Sequence, residues 1–140
     1  MTAALYQDAI LVLAKQSRAV SRLENPTVSA RIDNPVCGDR VTIDLALKGD
    51  TVVAVGAKVQ GCALCQAAAA VIAEAAVGKP AAALETVAAA MSAYLAGDSD
   101  ELPWAQLGVF APVRPMKSRR DCVLLPFKAA AKALREKQTA

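Results

Sequence analysis

Two alternating runs that meet at Gly49-Asp50 constrain this chain more than any other feature. In the first, Val41, Ile43, Leu45 and Leu47 fall on one face, and Thr42, Asp44, Ala46 and Lys48 on the other. The second, Thr51 to Gln60, follows at once. Period-two alternation marks a strand, and a two-residue connection opening on glycine fits a type II′ turn, so the runs read as antiparallel neighbours. A further alternating stretch from Thr27 to Asp33 sets Val28, Ala30 and Ile32 against Ser29, Arg31 and Asp33. A three-stranded meander is predicted.

The rest of the chain has helical periodicity. Tyr6, Ile10 and Leu13 lie at helical spacing in a segment from about Thr2 to Arg18. The period switches to helix again after Gly61: Cys62 to Val77 is predicted to end on Gly78, a C-cap residue. A further helix, about Pro80 to Ala96, opens with proline near its first position and closes at Gly97. Asp98 to Met116 holds three prolines and reads as a loop with at most a short helix. The last helix carries Phe127, Ala130, Ala131 and Leu134 and is predicted to begin between Ser118 and Pro126, because proline is comfortable in a first turn and costly inside a helix. With 140 residues, 55% hydrophobic and rich in alanine, the chain fits one domain over residues 1–140. The fold class is α+β, a three-stranded antiparallel sheet packed with about four to five helices.

Composition also excludes function classes. The net charge is +3, and the densest basic group, Lys117, Arg119 and Arg120 beside Arg114, is too thin for nucleic acid and reads as a solvated face with a docking role at most. The most apolar stretch, Cys62 to Val77, is interrupted by Gln66 and Glu74 and falls short of the roughly 20 residues that span a bilayer. Met1 to Ala14 lacks the marks of a secretory signal, so a cytoplasmic location with reduced thiols is expected. There is no histidine, which removes Cys-His and Ser-His-Asp catalysis and leaves sulfur and carboxylate to hold any metal.

The meander brings the ends of alternate connections to one edge of the sheet, so Cys37, after the first strand, and Cys62, after the third, are expected to meet there. Cys62 follows Gly61 at a helix start, where free N–H groups favour thiolate, and Cys122 lies close to the start of the last helix beside cationic side chains. In Cys37-Gly38-Asp39 a carboxylate stands two residues after a thiol, with a glycine that lets both turn to one ion. Three thiolates and Asp39 make a tetrahedral set for zinc, and thiolates with an exchangeable carboxylate suit an iron–sulfur cluster equally. Taken singly, each cysteine reads as a small core residue, and Asp39 as a turn residue. Cys65, one turn after Cys62 in an isolated CxxC pair, is the cysteine for which the core reading is preferred.

Asn34-Pro35-Val36-Cys37-Gly38-Asp39, Gly61-Cys62 and Cys122-Val123-Leu124-Leu125 resemble, in order and spacing, the three cysteine motifs of the IscU/SufU/NifU N-terminal family of iron–sulfur assembly proteins. Leu5-Tyr6 and Gly78-Lys79 fit as well, so the resemblance covers nearly the whole chain. It implies a three-stranded antiparallel sheet packed with helices, sulfur acceptance from a cysteine desulfurase, and a transient cluster passed to recipient apo iron–sulfur proteins. It also implies ligand roles for Cys37, Asp39, Cys62 and Cys122, with Cys122 as persulfide acceptor. Such a protein is more a scaffold than a classical enzyme. Asp121 stands where IscU-type scaffolds carry histidine, and their Leu-Pro-Pro-Val-Lys motif is missing, while the long segment between Gly78 and Cys122 looks more like the SufU branch. The resemblance therefore implies a cluster assembly scaffold or, alternatively, a zinc-bound SufU-type protein that relays persulfide sulfur; a purely structural zinc protein ranks below both.

Overall fold

The structure, a computed structural model, describes residues 2–35 and 38–139, with side chains for 8–35 and 38–135. Its elements are helix α1 (Thr2–Ser17), strands β1 (Val28–Asp33), β2 (Arg40–Lys48) and β3 (Thr51–Gln60), helices α2 (Ala63–Ala75) and α3 (Ala82–Ala96), a 3₁₀ segment (Ala105–Val113), and helix α4 (Lys117–Thr139). The sheet order is β1-β2-β3, both pairs antiparallel, with Ala30 opposite Ile43 and Val41 opposite Val59. Gly49 has φ +61° and Asp50 does not take positive φ, which is the pattern of a type II′ turn between Lys48 and Thr51. A bulge between Ala46 and Leu47 shifts the register near the turn.

Val41, Ile43 and Leu45 are fully buried, as the alternation requires. Helix α4 packs on β1 and β2, and α2 packs against α1, α4 and β3. Alanines 67 to 70 of α2 are all buried, which lets these helices approach closely around Val71, Ile72, Phe110 and Phe127.

The polar face of the sheet departs from the expectation. Thr42 and Asp44 are buried rather than solvated, because the chain leaving α1 crosses that face. There a Cβ on Gly56 would lie 2.7 Å from the Leu23 nitrogen and 2.8 Å from the Ser21 carbonyl oxygen, so only glycine admits the crossing. Asp44 holds the crossing segment: Arg22 Nε and Nη2 donate to it at 2.6 and 3.0 Å, the Leu23 N–H at 3.0 Å and the Ser29 hydroxyl at 2.5 Å.

Two boundaries also differ. Helix α2 stops at Ala75 instead of reaching Gly78, because the following chain turns to pair with the start of β3: Gly78 N–H donates to the Val52 carbonyl at 2.8 Å, and Val52 N–H to that of Lys79 at 2.9 Å. Helix α3 does end on left-handed Gly97. Helix α4 begins at Lys117, before the expected window, and carries Pro126 in its interior.

The segment between α3 and α4 contains a nine-residue 3₁₀ helix and is anchored by Arg114. The Arg114 guanidinium lies 4.3 Å over the Tyr94 ring and bonds the Tyr94 carbonyl at 2.8 Å. Arg120 donates in turn to the Arg114 carbonyl at 2.6 Å. Two members of the basic group are thus engaged internally, and only Lys117 and Arg119 remain as an exposed face.

Candidate metal and sulfur site

The connection from β1 to β2 closes on itself, with Asn34 N–H donating to the Asp39 carbonyl and Gly38 N–H to the Asn34 carbonyl, both at 2.8 Å. Gly38 takes φ +79° within this turn, and Asp39 leaves it pointing inward, 8% exposed. Cys37, expected to meet Cys62, lies outside the described residues; Asp39, two residues on, is described. Because Arg40 pairs with Gln60, the residue before one and the residues after the other share one sheet edge.

At that edge Gly61 is packed directly under Asp39. A Cβ there would stand 2.9 Å from Asp39 Cγ and 3.1 Å from Oδ2. Gly61→Ala is therefore expected to swing the carboxylate out of the site and weaken zinc about tenfold, while thermal stability changes little. A competition titration against a chromophoric chelator checks this; unaltered affinity would mean that Asp39 is not a ligand.

Cys62 is the N-cap of α2, extended at φ −72° and ψ 173°, and its side chain is exposed. Its thiol is pulled down to about 6, chiefly through the Cys65 thiol, with the Leu64 and Cys65 N–H groups and the Cys122 side chain acting the same way against the cost of burial. The two N–H groups face the sulfur without reaching full hydrogen-bond geometry.

Cys65, one turn on, has no solvent exposure. Its thiol faces Asp39 Oδ2 at 3.3 Å and the Cys122 carbonyl at 3.0 Å. Pro126 stands four residues later in α4 and has no N–H, so it cannot make the usual helical bond to that carbonyl. Proximity to the Cys62 thiolate, burial and Asp39 all push the Cys65 thiol strongly up, so it keeps its proton while Cys62 loses its own.

Ligand atoms of Asp39, Cys62 and Cys65 lie within 4.8 Å of one another, the only such group among the described residues. Tetrahedral zinc–sulfur bonds of about 2.3 Å place ligand atoms roughly 3.8 Å apart, so this spacing fits a metal ion after small rotations. Cys122 sits beside the group rather than at the helix start: it is the sixth residue of α4, 8% exposed, with its thiol toward the Ser118 carbonyl at 3.9 Å. Of the expected ligands, then, Asp39 and Cys62 converge, Cys122 borders them, and Cys65 joins them although the core reading was preferred for it. Its CxxC spacing was the signal; the expectation of burial was also correct.

An α+β fold of this topology, carrying a carboxylate and several thiols at one sheet edge, defines a protein built to hold a thiophilic metal or sulfur. Residues 5–108 match the sequence profile of the NifU-like N terminal domain, and the chain belongs to that family. Across 136 residues it is 25% identical to the zinc-dependent sulfurtransferase SufU of Bacillus subtilis (strain 168), covering 96% of this chain and 92% of that protein. Its fold superposes on the N-terminal NifU-like protein from Brucella abortus with TM-score 0.86 and 30% identity, covering 94% of both chains. The SUF-system scaffold protein from Fervidobacterium islandicum AW-1 gives TM-score 0.80 and 28% identity, covering 90% of this chain and 93% of that one.

Proposed function

We propose that this chain serves iron–sulfur cluster assembly as a scaffold, accepting sulfur from a cysteine desulfurase and holding a transient cluster for recipient apo proteins. The observation that carries the reading is the convergence of an exposed helix-capping thiol, Cys62, with Asp39, Cys65 and Cys122 at one edge of the sheet. Cys37, Cys62 and Cys122 supply thiolates to the cluster, and Asp39 is the weak fourth ligand whose exchange lets cargo leave. Cys62 presents the outward sulfur; Cys122, the acceptor implied by family resemblance, stands behind it. A cytoplasmic setting, where thiols stay reduced, suits this chemistry. No helix among the described residues is long and apolar enough to cross a membrane.

A second reading is favoured by the likeness to a zinc-dependent sulfurtransferase over nearly the full length. There the same donors hold zinc until an incoming thiolate displaces one of them and frees a cysteine to take sulfur. Elemental analysis and absorption spectra of protein purified without oxygen separate the two. Iron with acid-labile sulfide and visible charge-transfer bands, lost in Cys37→Ser and Cys62→Ser, establishes the scaffold. Colourless stoichiometric zinc, weakened by the same substitutions, establishes the relay. Protein that binds neither would overturn both.

A further inference from the structure

Cys65 is idle in the reading above, yet nothing about its placement is neutral. A structural cysteine needs only apolar neighbours, whereas this one lies at a helix start with Cys62 Sγ and Asp39 Oδ2 in one group and its thiol hydrogen directed to oxygen. With no solvent exposure, it is closed to any donor protein or small thiol, and the sulfur it can meet is that of its own site. CxxC across the first turn of a helix, one sulfur exposed and the other covered, is the arrangement in which the first thiol reacts with a partner and the second resolves the product.

We propose that Cys65 is a resolving thiol that converts a persulfide on Cys62 into free sulfide. The proposal rests on the sulfur-acceptor reading above. Once a sulfane sulfur sits on Cys62, reached directly or by transfer from Cys122, the Cys65 sulfur attacks Cys62 Sγ. The Cys62–Cys65 disulfide forms, the bond between Cys62 Sγ and the sulfane sulfur breaks, and its electron pair leaves with that sulfur as hydrosulfide. The sulfane sulfur is reduced to sulfide while the two cysteine sulfurs are oxidised to the disulfide. The Cys65 proton passes to Asp39 Oδ2, 3.3 Å away, which makes Asp39 the base of this step as well as a ligand. Sulfur atoms now within 4.8 Å reach the disulfide length of about 2.05 Å by rotating side chains at the start of a helix, where Cys62 is the N-cap residue, tied to the first turn through its carbonyl, which accepts from the Gln66 N–H at 3.1 Å. A cellular thiol or dithiol reductant restores the pair for the next round. Sulfide at the oxidation level that a cluster contains is thereby delivered inside the site that builds it.

The test uses the full-length reduced protein, loaded with substoichiometric glutathione persulfide and desalted at once. Released sulfide is assayed, and peptides spanning both cysteines are weighed. The wild type is expected to release about one sulfide per sulfur loaded and to yield a peptide lighter by two hydrogens, the Cys62–Cys65 disulfide. Cys65→Ala and Cys65→Ser are expected to keep the added sulfur as persulfide and release at least tenfold less sulfide; Asp39→Asn is expected to release it more slowly. Wild-type protein that retains its persulfide, carries it on Cys65, or releases sulfide only with a glutathione adduct on Cys62 would overturn the resolving role and leave sulfur acceptance standing. Wild-type protein that takes up no sulfur would overturn both.

Discussion

Replacing Cys62 with alanine is expected to lower sulfur acceptance from a persulfide donor by at least two orders of magnitude while the melting temperature stays within a few degrees of wild type. The side chain is exposed, so its truncation leaves no cavity. Two properties compete to explain its reactivity. A thiol lowered from 9.0 to about 6 is roughly nine-tenths thiolate at pH 7, a gain of about 90-fold over an ordinary cysteine. A less basic thiolate is also a weaker nucleophile, and a Brønsted slope near 0.5 takes back about 30-fold over the same three units. The net advantage is only about threefold, so exposure at the rim decides which cysteine meets the donor, and the lowered value chiefly keeps a ligand ready without a proton to expel. The pH profile carries the signature. In metal-free protein, iodoacetamide should label Cys62 at a rate that rises with a midpoint near pH 6 and is flat above pH 7.5, and this phase should vanish in Cys62→Ala. If Cys62→Ala still accepts sulfur and Cys122→Ala does not, the receiving thiol is Cys122.

The outline of this site was legible because strand alternation is a strong signal: three strands in meander order bring the connection after β1, where Cys37 was expected and Asp39 is seen, to the same edge as Cys62. Motif resemblance then named the side chains. What the sequence hid were relations across elements. Pro126 read as a helix boundary, since its cost inside a helix is local and visible. Its setting is not local: the carbonyl four residues before it, to which it can give no N–H, is that of Cys122, and the thiol of Cys65 from another helix lies 3.0 Å from that oxygen. Gly61 read as the end of a strand, whereas its missing Cβ makes the room that Asp39 occupies. Cys65 read correctly as buried, but burial and participation in the site are compatible when the neighbours are a carboxylate and a carbonyl rather than methyl groups. The polar face of β2 failed for a related reason, because alternation tells which side chains share a face and says nothing about what covers it.

That covered face predicts the largest stability effect in the molecule. Asp44 has no exposed side-chain surface and takes four hydrogen bonds from the segment that joins α1 to the sheet. Asp44→Ala removes the acceptor for the part-buried Leu23 N–H and the part-buried Ser29 hydroxyl, each costing about 1 kcal/mol or somewhat more when left unmade. Arg22 is 48% exposed and regains water, so its share is smaller than in a fully buried pair. The sum is about 3 kcal/mol, near the lower end for breaking a buried ion pair, and corresponds to a fall in Tm of about 10 °C. Asp44→Asn keeps the volume and one acceptor oxygen but turns an amide N–H₂ toward donors, so it should lose nearly as much; full stability in the asparagine variant would mean that packing, and not charge, holds the segment. Acid supplies the sign. Burial alone would raise this carboxyl, yet Arg22, Ser29 and the Leu23 N–H together hold it below its ordinary 3.8. A group depressed in the folded state stabilises fully above its unfolded value and loses that contribution as pH falls through the folded one. The gap between wild type and Asp44→Ala, measured by urea unfolding, should therefore be constant from pH 8 to about pH 5 and close below pH 4. Because Asp44 sits on β2 in mid-sheet while Asp39, Cys62 and Cys65 lie at its edge, zinc affinity in the surviving folded fraction should stay near wild type, separating what holds the scaffold together from what the scaffold holds.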